Sequence, residues 1–226
     1  TTNQPVPKKK QPSNRTPVEQ LVDLAVGKLE LNNAELIFNQ QTIPIALDAN
    51  DVTFHSSFDH TEKRYDAQLG VGKLESHVDG WRPLPTAAEL DFSLYRDHGV
   101  IRKLAVRSGK SSVEASGAIN DFKRLAAELK YNARIDVREM AATARIRDLK
   151  AGTVDLQGTA KIAPQGSVTN GNLKFAGLNF DDGSIRMAGI SGQTAYTVDR
   201  DGMGFQGISA KALGGAVTGD GEIRNW

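Results

Sequence analysis

From Val26 onward, apolar and polar residues alternate with a period of two. That is the pattern of strands with one face toward water and one away from it. Leu29 and Leu31 share one parity, and Leu36 and Phe38 follow Asn32-Asn33, which reads as a turn. Val52 and Phe54 alternate with Thr53 and His55. Tyr65, Ala67, Leu69 and Val71 keep one parity, as do Leu90, Phe92 and Leu94. Leu104 and Val106 come next, then Val113 and Ala115. The longest run is Leu129, Tyr131, Ala133, Ile135 and Val137, and another is Val154, Leu156, Gly158, Ala160 and Ile162. Turn chemistry separates the runs at Asp97-His98-Gly99, Ser108-Gly109-Lys110, Pro164-Gln165-Gly166, Asp181-Asp182-Gly183 and Asp201-Gly202. On the order of a dozen strands joined by hairpins predict antiparallel pairing. Helical stretches long enough for repeated parallel crossovers are missing.

Two short helices interrupt this pattern. Thr16 suits an N-cap, Pro17 the first helical position and Glu19 the capping box, so a helix is expected from Thr16 to about Ala25. Arg138–Arg145 has good helix formers and no Gly or Pro, and predicts a second. Residues 1–15 are polar, basic and proline-containing, and read as a flexible linker. The Lys8-Lys9-Lys10 run within it suits a solvated tether or an anionic lipid surface. Residues 16–226 read as one antiparallel β segment. The abrupt ends, Thr1 and Trp226, suggest a piece of a longer protein. Ser112–Ile119, Thr153–Ile162 and Ala216–Ile223 each place a glycine inside a strand. Such glycines mark bends or close backbone approaches, and they suit a curved sheet.

Charge narrows the function. The chain has 28 basic and 27 acidic residues, so it lacks the cationic excess that binds phosphates, and no nucleic-acid partner is expected. There are no cysteines, which removes disulfides, thiol nucleophiles and Cys-based zinc sites. No apolar run approaches the ~20 residues that span a bilayer as a helix. His55, His60, His77 and His98 are scattered, without the spacing that puts two imidazoles on one helix face. Asp199-Arg200-Asp201-Gly202 resembles the start of a calcium loop but lacks its closing Glu, so a hairpin turn is expected. No Walker A sequence and no G-x-S-x-G elbow occur. Neither catalytic nor metal-binding nor cofactor-binding residues are expected, and the chain reads as a non-enzyme. Trp81, near Pro83 and Pro85, is expected to pack over a sheet edge, with insertion at a membrane interface as the alternative.

Several stretches carry a family resemblance: Pro17–Phe38, Ile43-Pro44-Ile45, Trp81-Arg82-Pro83-Leu84, Ser108–Phe122, Ala151–Ile162 and Leu213–Ile223. In this order they resemble the AsmA-like superfamily, in particular the translocation and assembly module B (TamB) family. The resemblance covers residues 17–226. It implies a long β sheet folded lengthwise into an apolar groove, like a taco, in a periplasmic segment of a protein anchored in the inner membrane. It also implies phospholipid as the partner, and support of outer-membrane biogenesis. A partner in outer-membrane barrel assembly is implied for other parts of such a protein. The chain departs from the complete pattern in lacking the membrane anchor and the C-terminal partner-binding region.

A lipid carrier needs a continuous apolar surface, because each exposed methylene costs about 0.8 kcal/mol. With strands about 4.8 Å apart, a dozen in one sheet would give a trough roughly 55–60 Å long. The expected groove-lining residues are Leu36, Phe38, Phe54, Leu69, Phe92, Leu94, Leu104, Leu129, Tyr131, Ile135, Leu156, Phe175 and Phe205. Alternation alone does not separate a lined groove from the filled core of a sandwich or barrel. Two other functions fit the same strands. One is a scaffold that pairs its open edges with strands of outer-membrane proteins. The other is an enzyme with a carbohydrate or ester site, which requires an enclosed polar pocket with convergent carboxylates.

Overall fold

The computed structural model describes residues 17–40, 45–78 and 80–224. After α1 (Pro17–Leu24) come β1 (Lys28–Gln40), β2 (Ile45–Asp59), β3 (Arg64–Val78), β4 (Leu84–Leu94), β5 (Gly99–Ser108), β6 (Ser111–Asp121) and β7 (Ala126–Asp136). Next are α2 (Val137–Thr143), β8 (Leu149–Ala163), β9 (Gly166–Asp181), β10 (Arg186–Val198), β11 (Gly202–Ala212) and β12 (Gly215–Arg224). The strands form one 12-stranded antiparallel sheet in chain order, and β1 and β12 are its two unpaired edges. The fold is therefore mainly β and antiparallel, as the alternation and the hairpin turns predict, and the sheet is not closed into a barrel. The linker and the Thr16 cap lie outside the described residues.

Hairpin corners are set by aspartates that hold the turning backbone. Asp59 Oδ1 accepts from the Thr61 and Glu62 amides at 2.8 and 3.0 Å. Asp121 does the same for Lys123 and Arg124, and Asp182 for Ser184 and Ile185. The calcium-loop-like Asp199 is such a corner, accepting from the Asp201 and Gly202 amides. One expectation is corrected. Asn32-Asn33 is not a turn: β1 runs through it, with Asn33 at φ 52° and a break in register between Leu31 and Ala34. A short asparagine tolerates the left-handed conformation that a bulge needs, so the same residues satisfy either role. Trp81, before β4, is 43% exposed.

The helices sit at opposite ends of the strands. At the end of α1, Tyr65 Oη accepts from the Val26 amide at 2.7 Å and donates to the Leu21 carbonyl at 3.3 Å. Its Glu19 pairs with Lys123 on the β6–β7 turn at 3.0 Å, and its Asp23 with Arg96 at 3.5 Å. The helix stops at Leu24 because Ala25 turns to φ 48°. Asp136 caps α2 through the Glu139 amide at 3.0 Å. Glu139 in turn accepts from the Lys110 amide on the β5–β6 turn, and the Thr143 carbonyl accepts from the Arg82 amide.

On the polar face, Arg102 reaches Asp66 (2.9 Å), Asp91 and the buried Ser93. Burial raises the Asp66 pKa, but hydrogen bonds from Ser93, Arg102 and Arg64 outweigh it and hold the carboxyl below its usual range. A carboxylate with a depressed folded pKa contributes its full stability above its unfolded value, about 3.9. That contribution is lost as pH falls through the folded value. Denaturant midpoints are therefore expected to drop below about pH 4, and Asp66→Asn should lower the midpoint at neutral pH while flattening the acid limb. An acid limb unchanged by Asp66→Asn would show that other carboxylates set it.

Candidate functional site

Directly opposed residues in an antiparallel ladder share a face. Following the pairings across the sheet, one row crosses every strand: Leu31, Phe54, Leu69, Leu90, Leu104, Ala115, Tyr131, Gly158, Gly171, Tyr196, Phe205 and Gly221. The expected lining residues Phe54, Leu69, Leu104, Tyr131 and Phe205 all lie on it. Phe92 and Leu129 fall on the adjacent row, through Ile101 and Gly117. Leu94 is one row further, opposite Tyr65 and Gly99. On the other side of the central row, Leu156 pairs with Ala133 and Leu173, and Val154 pairs with Ile135 and Phe175. Leu36 and Phe38 pair with Ala49 and Leu47, and their side chains lie outside the described residues. The sheet thus brings the described candidates onto one face, and every one of them is half-buried.

Among the described residues, beyond neighbouring strands, the main close inter-element packing is α2 against β8 and β7. The two faces are nonetheless unequal. Along β7 the apolar-face positions Leu129, Tyr131 and Ala133 are half-buried, while Lys130, Asn132 and Arg134 between them are exposed. Shelter fades toward β12, where all ten residues are exposed, including Val217 at 63% and Ile223 at 52%.

The centre of the face has a feature that the sequence reading missed. Tyr131 on β7 and Tyr196 on β10 meet hydroxyl to hydroxyl across the two intervening strands. Three strand spacings are about 14 Å, so both rings must lie along the sheet. They can, because the positions between them are Gly158 and Gly171. A Cβ at Gly158 would come within 2.9 Å of the Tyr131 hydroxyl, and one at Gly171 within 3.0 Å of the Tyr196 ring. Each ring fills the space a glycine leaves. Burial, then the Tyr131 hydroxyl, push the Tyr196 phenol above the ordinary tyrosine range, so it stays neutral. Sequence parity picked out Tyr131 in a strong run. Tyr196 escaped because its neighbours on the same strand parity, Thr194 and Val198, make a weaker pattern.

No family model, no curated protein and no solved structure matches this chain.

The remaining sequence candidates are dispersed. His55 and His60 are exposed, on β2 and the turn after it, and His98 stacks on Tyr95 beside Asp97. No group of metal-ligating side chains gathers among the described residues. A depression of about 880 Å³ lies over Asn132, Gln157, Asn170 and Asn172, is bordered by Tyr131 and Tyr196, and has Glu114 as its one carboxylate.

Proposed function

We propose that the apolar face of this sheet holds or conducts phospholipid, as a periplasmic segment of an inner-membrane-anchored envelope protein that supports outer-membrane biogenesis. The observation that carries this reading is the set of apolar rows aligned across a 12-stranded sheet that is not closed into a barrel. A sheet of this kind left bare would expose large apolar side chains to water at about 25 cal/mol per Å². Acyl chains laid across the rows would remove that cost without any directional contact. The face runs continuously from β1 to β12, so a lipid could shift from strand to strand while keeping the same environment. The role calls for no catalytic residue. Partners in barrel assembly would engage other parts of a full-length protein.

The experiment is native mass spectrometry of the purified protein, with solvent extraction of whatever it carries. Phospholipid should be retained, and Phe92→Asp or Leu129→Asp should each reduce its occupancy by at least about tenfold, since one buried charge outweighs several methylenes. A clean apo protein that stays clean when offered phospholipid would sink the proposal.

A second reading has its own observation. The outer edge of β12 is unpaired along a strand whose residues are all exposed, and bare backbone groups on an edge template further pairing. A scaffold for outer-membrane protein strands would use that edge. Capture of an unfolded barrel strand by the lipid-free protein, blocked by proline at Thr218, would favour it.

A further inference from the structure

The polar face holds a surface that the lipid reading leaves unused. Its depression of about 880 Å³ is within the usual range of ligand sites. Most of the residues around it have the opposite parity to Tyr131 and Tyr196, while Ala115, Tyr131, Gly158, Gly171 and Tyr196 of the central row also border it. Asn132, Gln157 and Asn172 stand directly opposite one another on β7, β8 and β9. Beside them runs a second uncharged row, Thr159, Asn170 and Thr197, in which Thr197 Oγ1 donates to Asn170 Oδ1 at 3.0 Å. Ion pairs border the track on both sides: Arg134–Asp155 at 3.9 Å and Glu128–Lys161 at 3.4 Å. Charged side chains of the depression itself, such as Lys103 and Lys130, lie toward its β5–β7 end.

We propose that this amide track binds an extended, uncharged glycan running across β7, β8 and β9. Amides both donate and accept hydrogen bonds, as sugar hydroxyls do. The amides recur at the strand spacing of about 4.8 Å, close to the advance of one residue in an extended β-linked sugar chain. A polyphosphate or nucleic acid would require cations along the whole track, and a peptide strand would pair with an edge, not a face. The inference stands apart from the lipid proposal, because the amides alternate in strand parity with the residues of the apolar rows.

The test is titration of the full chain with chitin-type and cellulose-type oligosaccharides by calorimetry, with a sulfated glycan as the polyanion control. Binding of either neutral oligomer is expected, weakened at least about tenfold in Asn132→Ala/Gln157→Ala/Asn172→Ala. An unchanged circular-dichroism spectrum and melting curve would establish that this variant folds, and single substitutions serve if it does not. The two neutral ligands distinguish recognition of N-acetyl groups from recognition of hydroxyls. Phe92→Asp should bind the glycan as the parent does, so failure of the lipid reading leaves this result intact. No binding of either neutral oligomer, binding of the polyanion alone, or equal binding by folded amide variants would each overturn the inference.

Discussion

Gly158→Val is expected to abolish cooperative folding, or to cost at least about 3 kcal/mol if the sheet survives. The position is in the interior of β8, between Tyr131 and Gly171. Any Cβ there would press into the Asn170 carbonyl oxygen, with the Gly171 Cα at 2.9 Å and the Tyr131 hydroxyl at 2.9 Å. The first two are backbone atoms of the paired strand, so no side-chain rotation relieves the clash. Relief requires β9 to move away from β8, which breaks the ladder. Valine is otherwise a favourable strand residue, so propensity alone predicts the opposite sign. Gly219→Val supplies the control. A Cβ at Gly219 on β12 meets nothing within 4 Å, and the change should be neutral or stabilising by a few tenths of a kcal/mol. Denaturant melts of the two variants decide the matter. Equal midpoints would mean that the close approach of β8 and β9 yields easily.

Tyr196→Ala is the second large effect. Tyr196 is 7% exposed and its ring covers Gly171. Removing it leaves a gap over Gly171, with Phe205 directly opposite on β11 and the Tyr131 hydroxyl at its far end. Truncating a buried aromatic costs about 3–5 kcal/mol where the site does not collapse. Tyr196→Phe keeps the ring and removes only the contact with Tyr131, so it should cost about 1 kcal/mol. Tyr131→Phe should cost about the same, and the double variant no more than either single, because both remove one shared hydrogen bond. Strict additivity in that cycle would show that the two hydroxyls do not depend on each other. The cycle thereby separates the ring's packing from the hydroxyl's bond.

Much of the fold was legible in the residue order. Parity assigned Phe54, Leu69, Phe92, Leu129, Leu156 and Phe175 to apolar faces without any knowledge of which strands pair. The corners at Asp182 and Asp199 depend on bonds within two or three residues, so turn composition suffices to place them. The Asn32-Asn33 step failed for the same reason in reverse. Its local preference for a left-handed backbone fits a turn or a bulge, and only the partner strand β2 decides between them. The candidate site was half legible. Its lining could be named, but whether the face was covered, and what lay at its centre, could not.

By itself, then, the sequence indicated about a dozen strands, their antiparallel pairing through hairpins, and which apolar residues of each strand share a face. These follow from period-two alternation and from short turns, both local properties of the chain. Only the tertiary structure decided that the rows align across every strand, that the sheet stays open, and that Tyr131 meets Tyr196 over two glycines. Alignment depends on register, and register depends on bulges such as those between Leu31 and Ala34 or between Phe205 and Ile208. A bulge shifts every pairing beyond it and leaves the alternation of the next strand unchanged. The meeting of residues 65 positions apart is therefore the sum of three hairpin registers, a quantity that no single stretch of the chain contains.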